Sequence, residues 1–221
     1  MPSAGVVYIA WGENAATQVA ASLASLRRFS DLPVLVVGDG KAWCDPAQNV
    51  EGLCLPEVNP FGKDKRFYAG RVKPLLYGLS PFEQTLYVDA DTEFVADPAP
   101  GFALLNTWEV LVTDTGHRSL ADTIAGKKEA LWTRAHFGTP HMQYHCSGCI
   151  YWRRSPAVAG LFALWAEEWA RFAGWDEQLA LLRALARSEA LFLTLPRAWN
   201  TPEREQAYLL YHPWGSGVAR G

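Results

Sequence analysis

Apolar positions follow two rhythms along the chain: short continuous runs, and longer stripes with helical spacing. Residues 6–10 and 34–37 are short runs bounded by turn residues, which predicts two buried strands. Between them Gly12-Glu13-Asn14 breaks the first run, and Asn14 is placed to cap a helix to about residue 28. Ala16, Val19, Ala20, Leu23 and Leu26 share one face of that helix. Strand, helix and strand, with nearly continuous apolar strands, predict a βαβ unit and a parallel sheet. Residues 41–62 are rich in Pro, Gly and Asn and predict irregular chain with one short strand near Leu53. Residues 67–79 read as a helix with Pro74 inside it, and residues 86–88 as the next strand.

Asp97-Pro98-Ala99-Pro100-Gly101 predicts an irregular crossing before a strand at 109–113. Residues 116–138 are polar and predict a mobile loop or short helices. A strand follows at 149–152, entered by a turn at Cys146-Ser147-Gly148-Cys149. Residues 156–172 form a strong helical stripe of Val158, Leu161, Phe162, Trp165, Trp169 and Phe172. A helix at 177–187 and short strands at 191–195 and 208–211 complete the pattern. There is no internal repeat. The fold class is therefore α/β, one domain over residues 1–221, with a mainly parallel sheet flanked by helices.

Composition narrows this picture. With 49% hydrophobic and 19% charged residues, the chain reads as soluble and folded. A net charge of −3 argues against a footprint for duplex nucleic acid. Ten Trp, eight Tyr and ten Phe exceed the needs of a small core, so some should line a cleft where rings stack on a base or sugar. Met1 leads directly into the first apolar run, without a basic segment, and no run reaches a membrane-spanning length. The expected location is cytoplasmic. Cys44, Cys54, Cys146 and Cys149 are then expected as reduced thiols. Cys146 and Cys149 have the spacing of a redox pair or half a zinc site, but no second Cys-x-x-Cys exists to complete four ligands.

The chemistry concentrates at Leu86-Tyr87-Val88-Asp89-Ala90-Asp91-Thr92. Side chains at i and i+2 of an extended chain share a face, so Asp89 and Asp91 converge if the extension persists. Two carboxylates at the carboxyl end of a strand offer hard oxygen ligands for Mg²⁺ or Mn²⁺, and open α/β sheets bind ligands at that edge. The bland alternative is a solvated loop after a strand.

The order of further motifs carries a resemblance. Arg71-Val72-Lys73, the acidic pair, Ser147-Gly148-Cys149, a Trp-bearing helix, Asp176-Glu177-Gln178, Trp199-Asn200 and His212-Pro213-Trp214-Gly215 follow the βαβ start in sequence. Over roughly residues 5–215 the chain resembles the GT-A (Rossmann-like) nucleotide-sugar glycosyltransferases, above all the glycogenin-like family 8 and its small bacterial and phage relatives. The resemblance implies a nucleotide-binding half at 1–95 and an acceptor-side half at 96–221. It implies Asp89 and Asp91 as the metal-binding Asp-x-Asp, Asp91 on the cation directly and Asp89 on the cation or the ribose, with Ala90 between them at the donor. His212 matches a third metal ligand, and Gly215 the glycine of the same C-terminal motif, whose Lys-Pro-Trp this chain lacks. Lys73, with Arg71, matches the cationic contact to donor phosphates or hydroxyls. Ser147 and Gly148 match a turn passing close to the sugar, with Cys146 in place of an asparagine. Ala10, Trp11 and Gly12 match the strand end where the nucleoside base sits.

Asp176, Glu177 and Gln178 match the pair beside the reacting sugar, with Asp176 favoured as the carboxylate because it precedes the helix. The implied activity is metal-dependent transfer, with retention, from a UDP-linked sugar to an open acceptor: protein, glycan, small molecule or modified nucleic-acid base. Two other readings stand beside it. A sugar-phosphate nucleotidyltransferase would carry a basic Gly-rich loop after the first strand, where this chain has Trp11-Gly-Glu-Asn-Ala-Ala-Thr. The other is a catalytically inactive nucleotide- or carbohydrate-binding protein.

Overall fold

The structure is a computed structural model that describes residues 3–39, 44–55, 68–121, 127–172 and 177–213. The expected βαβ start is present as β1 (Ala4–Ala10), α1 (Gly12–Leu26) and β2 (Val34–Gly38). Next come β3 (Val50–Cys54), α2 (Tyr68–Val72), α3 (Leu76–Leu79) and β4 (Gln84–Val88). The single helix expected around Pro74 is thus two short ones, joined by a 3-10 turn at Lys73–Leu75. A proline has no N–H to continue an α-helical ladder.

After β4 come β5 (Glu93–Phe94), α4 (Ala99–Leu104), β6 (Val110–Ser119) and α5 (Lys127–Phe137). These correct two expectations. The Pro-rich segment opens α4, because proline fits a first helical turn, where its missing N–H costs nothing. The polar stretch after residue 116 holds the end of β6 in place of a loop, while the helix expected as the alternative is present as α5. The chain ends with β7 (Gln143–Arg153), α6 (Pro156–Arg171), α7 (Glu177–Arg187), β8 (Phe192–Leu195), β9 (Asn200–Thr201) and β10 (Leu210–Tyr211). Among the described residues no helix is long and apolar enough to cross a membrane.

Seven of the described strands form one sheet in the order β3-β2-β1-β4-β7-β6-β8. Every pairing is parallel except those of β7, which runs against β4 and β6. Alternate strand residues face two cores. Val7, Val37, Tyr87, Ile150 and Trp152 meet Leu161, Phe162 and Trp165 of α6 and Ala180 and Leu181 of α7. On the other face Val6, Tyr8, Val36, Leu86 and Tyr151 meet Val19, Leu23 and Leu26 of α1 and Phe102 of α4.

A small sheet, β5-β10-β9, caps the second face. It returns the C-terminal segment to the carboxyl end of β4, and His212 follows β10 directly with its N–H donating to Thr201 O at 2.8 Å.

Candidate active site

The site lies where β4 and β7 meet at the carboxyl edge of β4. The turn expected at Cys146–Cys149 does not exist: these residues lie inside β7, and Val88 pairs with Cys149. All four cysteines are free thiols, with Cys146 and Cys149 buried. Burial, with the Asp89 charge adding to it, pushes the Cys146 thiol up to about 12.

The chain leaves the extended conformation directly after Asp89, and Ala90 and Asp91 form a turn. Thr92 holds that turn through its hydroxyl, which donates to Asp89 O at 2.8 Å. The two carboxylates therefore meet through a turn and not through the pleat. His212 Nε2 completes the group at 3.0 Å from Asp91 Oδ1 and 4.0 Å from Asp89 Oδ2. One ligand atom from each of the three residues lies within 4.8 Å of the others.

Two carboxylate oxygens and an imidazole nitrogen are a donor set that suits Mg²⁺ or Mn²⁺. Gly148 supports the fit, since a Cβ there would stand 2.5 Å from Asp89 Oδ2 and 2.9 Å from His212 Cε1, inside the space the ligand atoms share. His212 is 4% exposed, and its Nδ1 lies 3.0 Å from Asn200 Oδ1. An N–H at Nδ1 donating to that amide leaves the Nε2 lone pair for a cation. Asn200 is fully buried, and its amide nitrogen donates to Cys146 Sγ at 3.3 Å.

Beneath the carboxylates lies Lys73, 3% exposed. Its Nζ is 3.0 Å from Asp89 Oδ1, 3.1 Å from Ser147 Oγ and 3.2 Å from Glu177 Oε1. Burial disfavours the ammonium, but Asp89 and then Tyr87 and Glu177 outweigh it, holding Lys73 charged well above the ordinary lysine value. Burial likewise works to raise Asp89, and Lys73 outweighs it, with His212 and the Tyr87 hydroxyl adding, so the carboxyl lies below its usual value.

A cavity of about 330 Å³ opens beside this group. It is lined by Asp89, Gly148 and His212 together with Ser147, Glu177 and Gln178, and by Thr115, Tyr144 and Cys146. Glu177 opens α7, and its Oε1 also accepts from Ser147 Oγ at 3.1 Å. The Gln178 amide is fixed at both ends: Ser147 N donates to its Oε1 at 3.2 Å, and its Nε2 donates to Tyr144 Oη at 3.4 Å.

Of the residues expected from sequence, Asp89, Asp91, His212, Lys73, Ser147, Gly148, Glu177 and Gln178 come together here. Ala90 sits in the turn between the acids. Ala10, Trp11 and Gly12 lie one strand away at the same sheet edge, since β1 runs parallel to β4, and they do not line the cavity. Arg71 lies in the last turn of α2, half-buried. Asp176 and Gly215 lie outside the described residues.

Asn14 does not cap α1. That helix starts at Gly12, whose N–H donates to Asp39 Oδ2 at 2.8 Å, a partner 27 residues away at the end of β2. The sequence assigns Asn200 no role and does not single out Tyr87, whose hydroxyl donates to Asp89 Oδ1 at 2.5 Å. The position of Tyr87 two residues before Asp89, and so on the same strand face, was the available signal.

No protein-family model matches the chain, and no curated protein matches it by sequence. Solved structures do match. Mouse xyloside xylosyltransferase 1 superposes at a TM-score of 0.58 and 11% identity over 90% of this chain and 87% of its own. The galactosyltransferase LgtC, solved with donor and acceptor sugar analogs, gives 0.60 at 12% identity over 89% of this chain and 74% of its own. The bifunctional glycosyltransferase WbbM gives 0.59 at 16% identity over 90% of this chain, which spans 40% of that larger protein. At these identities the likeness is one of fold, and it establishes the expected GT-A α/β architecture.

Proposed function

We propose that this chain is a metal-dependent glycosyltransferase that moves a sugar from a nucleotide-diphosphate donor, UDP-linked, to an acceptor with retention at the reacting carbon. The observation that carries the reading is the Asp89, Asp91 and His212 group at the carboxyl end of β4, in a fold shared with glycosyltransferases and beside a cavity that also holds Glu177 and Gln178.

In this reading Asp89, Asp91 and His212 hold the divalent cation. When bound, the cation neutralises the diphosphate as charge develops on it. Asn200 keeps His212 in the tautomer that presents Nε2. Gly148 lets Asp89 and His212 pack closely against β7, because no side chain stands there. Glu177 supplies a negative charge near the reacting carbon, and it is the carboxylate to which we assign the role expected of the Asp176 and Glu177 pair. Gln178 fixes the floor through Ser147 and Tyr144. The departing diphosphate takes the acceptor proton on the same face, so no strong base is needed opposite it.

A thermal-shift screen of nucleotide sugars with and without Mn²⁺ tests the reading. A ligand that binds the folded state raises its melting temperature. The expected result is a shift with a UDP-sugar that needs Mn²⁺. An absence of shift with every nucleotide sugar in saturating Mn²⁺ would contradict it.

A further inference from the structure

We propose that Lys73 is a positioning residue that braces the metal-side carboxylate of Asp89 against the sugar-side carboxylate of Glu177, and that it does not contact the donor phosphates. The inference rests on the proposed metal-dependent transfer. It differs from the sequence expectation in giving the lysine an internal partner on each side.

An ammonium has three N–H donors. Three acceptors stand around Lys73: Asp89 Oδ1 at 3.0 Å, Ser147 Oγ at 3.1 Å and Glu177 Oε1 at 3.2 Å. The side chain is 4% exposed and does not line the cavity. Reaching a phosphate would break one of these contacts and leave a half-buried carboxylate, Asp89 or Glu177, or the buried Ser147 hydroxyl without its donor, which is costly.

The arrangement also divides the labour within Asp89. Oδ1 accepts from both Lys73 and Tyr87, while Oδ2 faces Gly148 and His212. One oxygen thus fixes the carboxylate plane, and the other is left for the cation. Ser147 closes the brace by donating to Glu177 Oε1 at 3.1 Å.

Lys73→Met and Tyr87→Phe test this on the full chain. Free Mn²⁺ is followed by electron paramagnetic resonance without nucleotide, UDP binding is measured at saturating Mn²⁺, and melting temperature is recorded for each variant. Residues that orient metal ligands typically change metal affinity by about tenfold or more. The brace predicts Mn²⁺ affinity about tenfold lower in Lys73→Met and lower in the same direction in Tyr87→Phe, with UDP affinity at saturating Mn²⁺ unchanged.

A residue that only supports the fold would lower the melting temperature and leave the Mn²⁺ titration alone, which would overturn the proposal. Wild-type Mn²⁺ affinity in the variants, with UDP affinity lost in Lys73→Met, would make Lys73 a phosphate ligand and overturn it too. If Lys73→Met does not fold, Tyr87→Phe decides by the same Mn²⁺ titration, since it keeps the ring and removes only the hydroxyl. If wild type binds no Mn²⁺, both this inference and the metal reading fall. If wild type binds Mn²⁺ and the variants match it, only the brace falls.

Discussion

Gly148 and Asp89 stand so close that a Cβ on the glycine would lie 2.5 Å from the Asp89 Oδ2 atom. Asp89 N also donates to Gly148 O at 3.0 Å, so the backbones are locked together at this spacing. Gly148→Ala must therefore push the carboxylate or the imidazole aside. We expect Mn²⁺-dependent UDP binding to be lost, with a stability cost of about 1–3 kcal/mol, the usual range for overpacking. Calorimetric titration and chemical denaturation separate the two effects. An alanine variant that binds UDP and Mn²⁺ like wild type would show that this space is not the ligand site.

Asn200 presents one oxygen to His212 and one nitrogen to Cys146. Asn200→Ala should weaken Mn²⁺ binding about tenfold, because the imidazole loses the partner that fixes its tautomer. Asn200→Asp keeps an acceptor for Nδ1 and should restore much of the affinity. Equal losses in the two variants would point to simple packing damage.

Glu168 lies under the stripe of α6, 3% exposed, paired with Arg183 at 2.8 Å and with Arg187. Burial works to raise its carboxyl, and the two arginines outweigh it, so the pKa falls below the ordinary 4.5. A carboxyl lowered by folding adds stability above its unfolded pKa and loses it as pH falls through the folded value. Glu168→Gln should cost about 1–3 kcal/mol near neutral pH, since it removes the charge that Arg183 and Arg187 face while Arg183 keeps Glu129. That difference should shrink below about pH 4.5. Urea denaturation of both proteins from pH 3 to pH 7 measures it, and a pH-independent difference would contradict the account.

Much of this architecture was legible in the sequence, for a physical reason. β1, β2, β4, α6 and α7 bury continuous or periodic apolar surface, and that pattern is local. The first half of β7 was not legible. Its Gln143, Tyr144, His145, Cys146 and Ser147 are mostly polar: Cys146 and Ser147 line the cavity, and Tyr144 lines it while packing on a small core with Leu179 and Leu182. Site-lining residues mask the strand that carries them.

The start of α1 misled for a different reason. Its first N–H finds Asp39 across the sheet edge, and rules for caps see only neighbours in sequence. The Asp89 and Asp91 pair was legible in the sequence, and His212 entered through the resemblance. Asn200 was quoted without a role, since its partnership with His212 spans two strands of a small sheet that no periodicity announces.

Glu177 should act in the transition state more than in binding. Glu177→Gln keeps an Oε1 acceptor for Lys73 and Ser147 and removes the charge. We expect kcat to fall more than donor affinity, because the carboxylate interaction strengthens as positive charge grows on the sugar. Proton NMR of the wild-type product should show the donor's α linkage kept. A β-linked product would recast Glu177 as a general base.

The most direct test concerns Asp89 and Asp91. UDP binding is measured by calorimetry with and without Mn²⁺, for wild type and for the Asp89→Asn, Asp91→Asn double variant. Both side chains sit at or beyond the end of β4, and an amide at residue 89 keeps an oxygen to accept from Lys73 and Tyr87, so the variant should fold. The account predicts tight, Mn²⁺-dependent binding in wild type and its loss in a variant that is still folded at the assay temperature, with a lower melting temperature because Asp89 pairs with the buried Lys73. A double variant that binds UDP in Mn²⁺ as tightly as wild type would contradict it.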